Sequence, residues 1–519
     1  MANVISRRTL LKTATVGSLG AVAFFNSNKC LAGGADTNFD GIRNKIKKAV
    51  ESGSPASFAV AVAKDGTVVW EEAFGRANRK LSVPATTNTR YAVASLSKPF
   101  TALGIMVLID RGAVKLDDPI IRFLGNIKLT AYEGDAAAVK VRHLLQHTSG
   151  LPRHWRNFYA DEGETPPKLE ETFNRYGILV NQPGAEYLYT NLGYALLAHI
   201  IERVSGASFS EFMRKEVFLP LGLTDTTVEN AARISRPSAA LYNADGESVP
   251  FYTADESGSM SVASSIRDVI RFGLFHLKAS QPGQKQIIRP AMIDQMALER
   301  YAVEPSGASD TFYSLGWLGR PKSSYSYYNL SHSGDAPGVS ALLVIFPDER
   351  IAVAALANTR FSELIYTATD DVLDALLPDN KKMRESDPSM NSPTLPPFKP
   401  AEELRGKWTG EIKTSSGTIP ALMTFRPDGD VHVKLEGQLE TSVNQLQFKD
   451  GKLTGRCQGT ITTEDAMRHP HQLRLVLRHK GDVLSGTVHA QSSIDAQAKN
   501  LPKRDYFALA SWMKLAKKH

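Results

Sequence analysis

The chain has 519 residues, enough for two domains, and its 42% apolar and 22% charged residues are ordinary for a globular protein. Its formal net charge is +7, but four basic residues lie among the first 32 positions, which contain no acid, so the remainder carries 7 − 4 = +3. A charge this small, without a stripe of basic and aromatic residues, excludes nucleic acid from the expected partners.

The first 32 residues have the pattern of an export signal that is removed from the mature protein. Residues 6–12 read SRRTLLK, and the uncharged, mostly apolar stretch that follows ends at residue 25. A membrane span needs about 20 residues, so this stretch is too short to be an anchor. The paired arginines resemble the twin-arginine signal for export of folded proteins, and an ordinary signal peptide with a basic start is the alternative. Cleavage after Ala32 would leave Cys457 as the sole cysteine of a periplasmic or secreted protein, so no intrachain disulfide is expected.

The next part of the chain predicts the first half of an α/β body. Apolar residues recur at helical spacing over residues 38–52, which predicts an amphipathic helix. Two strand-like runs, Ser57–Ala63 and Thr67–Phe74, are separated by Lys64-Asp65-Gly66, which indicates a β-hairpin. A mostly helical stretch then extends to about residue 280.

A second hairpin and a final helix are predicted further along the chain. The runs Val339–Phe346 and Ile351–Leu356 flank a polar turn, and a helix is expected from about Ser362 to Leu377. Strands at both ends with helices between them predict a sheet that joins distant parts of the chain.

The composition changes at residue 379. Residues 379–400 are rich in proline and charge, which disfavours regular structure, and they are predicted to be a linker. Beyond it, turn signals such as Pro427-Asp428-Gly429 separate short alternating runs, so residues 401–519 are predicted to form an all-β sandwich or barrel. The tail from Asp505 is predicted to be one short helix. The histidines of this region lack acids or cysteines at ligand spacing, so no zinc site is expected.

Ser95 and Lys98 lie at the mouth of an apolar run that is expected to form a buried helix. Residues three apart share a helix face, so the amine is expected near the hydroxyl. Burial disfavours charged lysine, so its pKa should fall and the amine could take the proton of a serine nucleophile. Ser97 is an alternative nucleophile but is predicted to point to another side of the helix. The same spacing at Ser511 and Lys514 is interpreted as chance.

Three elements in this order resemble the penicillin-recognising serine hydrolases. The first is the serine–lysine pair, the second is Tyr189-Thr190-Asn191, and the third is His332-Ser333-Gly334. Residues 142–152, RHLLQHTSGLP, are similar to the class C β-lactamase branch, which includes D-alanyl-D-alanine carboxypeptidases, D-aminopeptidases and some esterases. The resemblance covers about residues 40–378. Tyr327-Tyr328-Asn329 also fits the second element but is discounted, because it directly precedes the third element on a strand.

This resemblance implies a β-lactamase/transpeptidase-like α/β (α+β) domain over residues 38–378, with an antiparallel sheet flanked by helices. Some D-amino-acid peptidases of this branch also carry a C-terminal lipocalin-like barrel, and residues 401–519 look similar. The resemblance further implies an acyl-enzyme on Ser95 and no metal or other cofactor.

The roles implied for the first two elements are catalytic. Ser95 is expected to attack a carbonyl while Lys98 and Tyr189 share general-base work. A phenol titrates near about 10, so neighbouring cations or a shared proton would be needed to make Tyr189 a base at neutral pH. Asn191 is expected to hold the substrate amide and to orient Lys98. Backbone N–H groups of Ser95 and Asp335 are expected to form the oxyanion hole.

The third element is expected to contact substrate through His332 and Ser333, and Gly334 is expected because a side chain there would fill the cleft. His332 stands where β-lactamases carry lysine, which supplies a fixed positive charge for the β-lactam carboxylate. Histidine is mostly neutral near pH 7, so peptidase or esterase activity is favoured over β-lactamase activity. His147 is predicted to stabilise a loop and not to take part in catalysis.

The expected partner is a peptide or small-molecule substrate, with D-amino-acid peptides first and peptidoglycan-derived peptides as one source. Esterase and β-lactamase activities are the alternatives within the same family. A non-catalytic ligand-binding protein is the alternative of another class. Loops that shape the pocket, such as residues 153–167, carry no readable substrate code.

Overall fold

A nine-stranded antiparallel sheet forms the centre of the first domain. The computed structural model describes residues 38–228, 238–279, 281–304, 310–322, 327–360, 362–386, 398–492 and 504–519. The predicted signal segment and residues 387–397 of the predicted linker lie outside these ranges. No helix in the described ranges has the length and apolar character that crossing a bilayer requires.

The helices that the structure describes are, in chain order, α1 (Asp40–Glu51), α2 (Ser97–Asp110), α3 (Val141–Leu145), α4 (Leu169–Tyr176), α5 (Asn191–Ser205), α6 (Phe209–Phe212), α7 (Ser257–Met260), α8 (Ile266–His276), α9 (Pro290–Leu298), α10 (Glu363–Leu376), α11 (Asn380–Ser386) and α12 (Glu464–Met467). The strands of the first domain are β1 (Ser57–Lys64), β2 (Thr67–Asn78), β3 (Val83–Pro84), β4 (Tyr91–Ala92), β5 (Thr130–Ala131), β6 (Trp155–Tyr159), β7 (Ile178–Leu179), β8 (Thr227–Val228), β9 (Leu241–Tyr242), β10 (Ser248–Val249), β11 (Tyr252–Ala254), β12 (Val262–Ser264), β13 (Tyr301–Ala302), β14 (Phe312–Tyr313), β15 (Leu318–Arg320), β16 (Asn329–Ala336), β17 (Val339–Phe346) and β18 (Ile351–Ala357).

The central sheet joins the two ends of this domain, as the sequence predicts. Its strand order is β13-β14-β15-β16-β17-β18-β1-β2-β3, and β1 pairs with β18 from Phe58↔Ala357 to Lys64↔Ile351. Both predicted hairpins, β1–β2 and β17–β18, lie in this sheet. The terminal helices α1 and α10 also have the predicted positions, each within about two residues of the predicted ends.

The two faces of the sheet bury side chains of different size. Along β1, Phe58 and Val60 face the cluster that contains α1 and α10, while Ala59 and Ala61 face the cluster that contains α2 and α8. This alternation follows from the two-residue period of a strand. The small side chains let the helical layer approach closely, since a Cβ built on Gly273 of α8 would lie 3.2 Å from the Cβ of Ala352.

The second domain is a nearly closed antiparallel barrel, in agreement with the all-β prediction. Its strands are β19 (Gly406–Thr414), β20 (Gly417–Phe425), β21 (Val431–Leu435), β22 (Thr441–Ser442), β23 (Asn444–Lys449), β24 (Lys452–Cys457), β25 (His471–Lys480), β26 (Val483–Ser492) and β27 (Phe507–Lys518). The order β22-β21-β20-β19-β27-β26-β25-β24-β23 places the last strand between the first strand and β26. Val443 alone separates the two end strands in sequence, so the ring is almost complete.

The predicted C-terminal helix is wrong, because residues 507–518 form strand β27. Most of its residues are buried on both sides of the strand, since one side faces the barrel interior and the other faces the first domain. Trp512, for example, stacks on Tyr132 with ring centroids 5.3 Å apart. Burial of both sides removes the polar–apolar alternation that marks a strand in sequence. The second serine–lysine pair lies in this strand, far from helical geometry.

The predicted linker begins with regular structure, which the sequence analysis did not expect. Helix α11 occupies residues 380–386, and Asn380 Nδ2 and Arg384 both bind the Asp374 carboxylate at the end of α10. These contacts attach the first third of the stretch to the first domain.

The barrel is joined to the first domain by strand pairing. Strand β6 pairs with β27 at Arg156↔Phe507 and Trp155↔Ala508. The buried Asp465 of α12 adds ion pairs to Arg156 and Arg175, at 2.6 and 2.8 Å. One continuous hydrogen-bonded edge and buried ion pairs therefore fix the barrel against the segment that contains residues 153–159.

Candidate active site

Ser95 lies in a 3₁₀ turn, Ala94–Leu96, that leads directly into α2. The preceding Ala94 has a φ of +44°, a left-handed conformation that is unfavourable for a residue with a side chain. Strand β16 crosses over this turn, and a Cβ at Gly334 would lie 1.9 Å from the carbonyl oxygen of Val93. Glycine is therefore required at position 334 by backbone packing behind the nucleophile. The predicted reason, a side chain filling the cleft, is wrong.

The structure brings the first two sequence elements together at the Ser95 hydroxyl. Lys98 Nζ lies 3.1 Å from Ser95 Oγ, and the Tyr189 phenol donates to the same oxygen at 2.9 Å. Ser97 lies elsewhere, since its hydroxyl accepts a hydrogen bond from the backbone N–H of Val262. The serine predicted as nucleophile is thus the one that touches both proton-transfer groups.

The Lys98 amine is fully buried and its surroundings hold it in place. Nζ donates to Asn191 Oδ1 at 2.9 Å and to the carbonyl oxygen of Ser259 at 3.1 Å. Burial lowers the pKa of Lys98 well below 10.5, and the nearby Arg153 adds to the shift while Glu256 opposes it. Because Asn191 begins α5 and Lys98 lies in the first turn of α2, two helix starts converge on the amine.

Tyr189 is held by the loop that precedes β6. The imidazole of His147 accepts a hydrogen bond from the backbone N–H of Thr190 at 3.2 Å, and its ring lies 4.3 Å from the Tyr189 ring. The Thr190 hydroxyl donates to the carbonyl oxygen of Pro152 at 2.7 Å. His147 therefore stabilises the loop, as predicted. Burial raises the pKa of Tyr189 to about 12, although Ser95 and Arg153 act to lower it, so the phenol is neutral at pH 7.

The three residues of the third element do not line the cavity that contains Ser95, but Asp335, which follows them, does. This position of Asp335 agrees with an oxyanion-hole role for its backbone N–H. His332 is buried outside the cavity lining, with Nε2 3.0 Å from the Tyr313 hydroxyl and Nδ1 2.8 Å from the carbonyl oxygen of Ser333. Burial and the nearby Lys98 lower the pKa of His332 to about 3, so the imidazole is neutral. Ser333 is solvent-exposed.

A buried acid pair behind Asn191 is a part of the site that sequence reasoning missed. Asn191 Nδ2 donates to Glu256 Oε1 at 3.3 Å and to the carbonyl oxygen of His154 at 2.9 Å. Burial and the adjacent Asp255 raise the pKa of Glu256 well above its usual value, which favours its protonated form. Burial acts to raise the pKa of Asp255 as well, but hydrogen bonding from Glu256 and the neighbouring His154 lower it. The acids carry no spacing motif, so only the fold reveals them.

The acid pair and the neighbouring His154 are the residues that could hold a metal ion. Donor atoms of His154, Asp255 and Glu256 all lie within 4.8 Å of one another, and no other such group is found among the described residues. The buried guanidinium of Arg156 lies close to this group and repels a metal ion. A proton shared between the two carboxyl groups satisfies the arrangement without a metal ion.

The cavity in front of Ser95 has walls from both domains. Its volume is about 360 Å³, and Tyr189, Asn191 and Arg153 line the side of the first domain. The barrel supplies four polar side chains of its outer face: Arg456, Gln472, Arg474 and Gln491. The sequence offers no signal for these contacts, because they depend on how the barrel docks.

Comparisons with known proteins agree with this geometry. The family described as Beta-lactamase matches residues 42–376. Penicillin-binding protein 4* of Bacillus subtilis (strain 168) is 30% identical over 344 residues, which cover 60% of this chain and 71% of that protein. The octameric penicillin-binding protein homologue from Pyrococcus abyssi superposes with a TM-score of 0.55 at 22% identity, over 87% of this chain and 98% of that chain. A class C beta lactamase from Rhodobacter sphaeroides gives a TM-score of 0.53 at 19% identity, over 65% of this chain and 99% of that chain. At such identities the two structures support the fold alone.

Proposed function

This chain belongs to the Beta-lactamase family of serine hydrolases, and from that premise we propose that it is an exported hydrolase that cleaves D-amino-acid peptides through an acyl-serine intermediate. The observation that supports catalysis most directly is the Ser95 hydroxyl in contact with both the Lys98 amine and the Tyr189 phenol. A nucleophile, a base and a proton donor at one open cavity are the groups that acyl transfer needs.

In the proposed reaction the neutral Lys98 amine is the base. Two N–H groups of the amine stay on Asn191 and Ser259, which leaves its lone pair directed at Ser95. The Ser95 proton passes to Lys98 as Oγ attacks the substrate carbonyl, and backbone N–H groups of Ser95 and Asp335 stabilise the oxyanion.

The leaving group then needs the proton that the base has taken. Tyr189 is protonated, because its pKa is raised to about 12, so it can donate to the departing amine and be reprotonated from Lys98. Water attacks the acyl-serine by the reverse sequence: its proton goes to the base, and Ser95 Oγ leaves with a proton. Tyr189 is thus proposed to relay a proton, which differs from the general-base role expected at first.

Peptidase activity is proposed ahead of β-lactamase activity because the third element has a neutral histidine at the position where β-lactamases carry lysine. His332 is neutral and its two nitrogens are engaged with Tyr313 and Ser333. Esterase activity requires the same catalytic groups and remains the alternative within the family. A non-catalytic binding role would leave the Ser95, Lys98 and Tyr189 contacts without a purpose.

Mass spectrometry after treatment with a fluorophosphonate tests the proposal. We expect an adduct on Ser95 that is absent from the Ser95→Ala variant. An unmodified Ser95 in the folded protein would contradict the proposed function. A panel of D-amino-acid peptides, p-nitrophenyl esters and nitrocefin then ranks the substrate classes. Faster turnover of nitrocefin than of every peptide would replace the proposed activity with that of a β-lactamase.

Export by the twin-arginine route is proposed on residues 6–12 alone. Replacement of Arg7 and Arg8 by lysine is expected to keep the protein out of the periplasm, and unchanged periplasmic activity in a fractionated cell would contradict this route.

A lipocalin-like relationship of the barrel is also a proposal, supported by its almost closed antiparallel order. Apolar side chains such as Trp408 and Met423 fill its interior, so the proposal concerns architecture and not a ligand inside the barrel. Superposition of an experimental structure of the barrel on lipocalins would test it, and a different strand order would end it.

A further inference from the structure

We propose that the outer face of the barrel completes the active site with an anion-binding subsite in which Arg456 and Arg474, together with Arg153, hold a carboxylate of the substrate. All three residues line the cavity that contains Ser95. The inference rests on the proposed function, because it assigns the class of substrate that the same cavity accepts.

The two barrel arginines are direct neighbours across a strand pair. Arg456 of β24 and Arg474 of β25 are register partners. Their side chains point outward, since the alternating residues Leu473 and Leu475 are buried in the barrel. Like charges placed directly opposite each other on a sheet are destabilising, so this arrangement weakens the barrel unless an anion lies between them.

Arg153 brings a third guanidinium from the first domain. It lies over the Trp155 ring at 5.0 Å, which holds it at the edge of the cavity. Burial lowers the pKa of Arg474, and the charges of Arg153 and Arg456 lower it further. Arg474 therefore lies near both other cations, and all three line one cavity, where a single anion can reach them.

The cavity does not contain enough acid to balance these charges. Its acids are Asp335 and Asp505, and Asp505 is already paired with Arg360 at 3.1 Å. Within the described residues, Arg153, Arg456 and Arg474 have no ion pair with an acid. The cavity lining thus contains four arginines, Arg153, Arg360, Arg456 and Arg474, and only two acids.

Other arginines along the same interface are paired, which sets the three apart. Arg478 lies on the same outward face of β25 and binds Glu186 of the first domain. Arg504 binds Asp161 at 2.6 Å. In the described part of the interface, Arg478 and Arg504 are thus neutralised by acids, whereas Arg153, Arg456 and Arg474 at the cavity are not.

A carboxylate is the ligand that fits this cluster. The planar guanidinium fork matches the two oxygens of a carboxylate, and charge-assisted bonds of this kind are among the strongest in proteins. A free amine near the reacting bond would be repelled by the same charges. The subsite therefore favours peptides that carry a free carboxylate near the cleaved bond over peptides that present a free amino terminus there.

Paired substrates that differ only in charge test this subsite in the full mature protein. One pair is N-acetyl-D-alanyl-D-alanine and its C-terminal amide; the other is p-nitrophenyl hemisuccinate and its methyl ester. The measured quantity is the ratio of kcat/KM for the acid to that for the neutral partner. The wild-type ratio is expected to reach about tenfold or more for at least one pair, since only the acid gains charge-assisted hydrogen bonds from the arginines. High salt is expected to lower it.

Arg456→Gln/Arg474→Gln removes two of the three guanidinium groups and is expected to lower that ratio several-fold, whereas the matched control Arg478→Gln keeps the wild-type ratio. Should the double variant fail to fold, Arg474→Lys keeps a charge without the fork and is expected to lower the ratio partly. A wild-type ratio near one for both pairs, or a ratio that survives in the folded double variant, would overturn the subsite. Labelling of Ser95 by a fluorophosphonate separates this failure from failure of the proposed function, which would leave Ser95 unlabelled.

Discussion

Two kinds of basic side chain serve the active site, and the protein treats them in opposite ways: Lys98 contacts Ser95 from the buried side, whereas Arg456 and Arg474 line the cavity. Lys98 is fully buried and hydrogen-bonded to Asn191 and Ser259, and burial lowers its pKa. Arg456 and Arg474 are only half-buried. A lysine responds to burial by losing its proton, whereas an arginine keeps its charge in proteins. One group therefore becomes a base, and the other stays a binding site for an anion.

This contrast has a consequence for stability. Unfolding returns Lys98 to water, where its pKa is near 10.5, so the unfolded chain binds an extra proton between the lowered pKa and 10.5. Burial of Lys98 thus lowers the stability at neutral pH, and the loss shrinks as the pH rises through that window. Both groups weaken the fold locally, which is typical of functional sites.

The largest effect is expected when Lys98 is replaced by an arginine, which keeps its proton even when it is buried. Lys98→Arg replaces the neutral amine by a fixed positive charge and so removes the base, and kcat/KM should fall about 10³-fold or more, as for Lys98→Ala. Steady-state kinetics on the best substrate of the panel measures it. Substantial activity in Lys98→Arg would show that a fixed charge, and not a neutral amine, is what the reaction uses.

The pH dependence of kcat/KM also tests whether the neutral Lys98 amine is the base. Since the neutral amine is the active form, kcat/KM should rise with pH and should be lost as the pH falls through the lowered pKa of Lys98. Tyr189, with a pKa raised to about 12, should add no limb to the pH profile in the neutral range.

Tyr189→Phe should lower kcat about 10²-fold by removing the proton relay, and its pH profile should keep the acidic limb. Loss of that limb in Tyr189→Phe would assign the titration to the phenol.

A smaller effect is expected from the acid pair that supports Lys98 through Asn191. Because the raised pKa of Glu256 favours its protonated form, Glu256→Gln should retain most of the activity and the same pH profile. Glu256→Ala leaves the Asn191 amide without one acceptor and should lower the free energy of unfolding by about 1–3 kcal/mol. Urea denaturation and the pH profile of both variants measure this. A displaced acidic limb in Glu256→Gln would show that Glu256 carries a charge.

The smallest effect concerns stability at the arginine pair. Arg456→Gln removes one of two directly opposed charges and should raise the free energy of unfolding by about 0.2–1 kcal/mol at low salt. The control Arg478→Gln breaks an ion pair with Glu186 and should not stabilise the protein. Urea denaturation at low and high salt tests both. Destabilisation by Arg456→Gln would show that Arg456 has a structural partner.

Patterns that repeat over several residues could be predicted from the sequence. The hairpin strands around residues 65 and 348, the helices that begin near residues 40 and 363 and the buried helix after Ser95 lie where the sequence pattern places them. The tail after Asp505 could not be predicted, because burial on both sides of β27 removed the alternation of a strand. The role of Gly334 was also misjudged, since the approach of β16 to Val93 is a contact between segments far apart in sequence.

The sequence by itself determined the order of Ser95, Lys98, Tyr189 and Asn191 and their likeness to a family of serine hydrolases, because short spacings on helices and turns fix which side chains share a face. Only the tertiary structure decided the protonation of the site, since a pKa depends on burial and on charges brought from elsewhere in the chain. It also decided the far wall of the cavity. Docking of the barrel places Arg456 and Arg474 before a serine more than 350 residues away in sequence, and no local pattern records that contact.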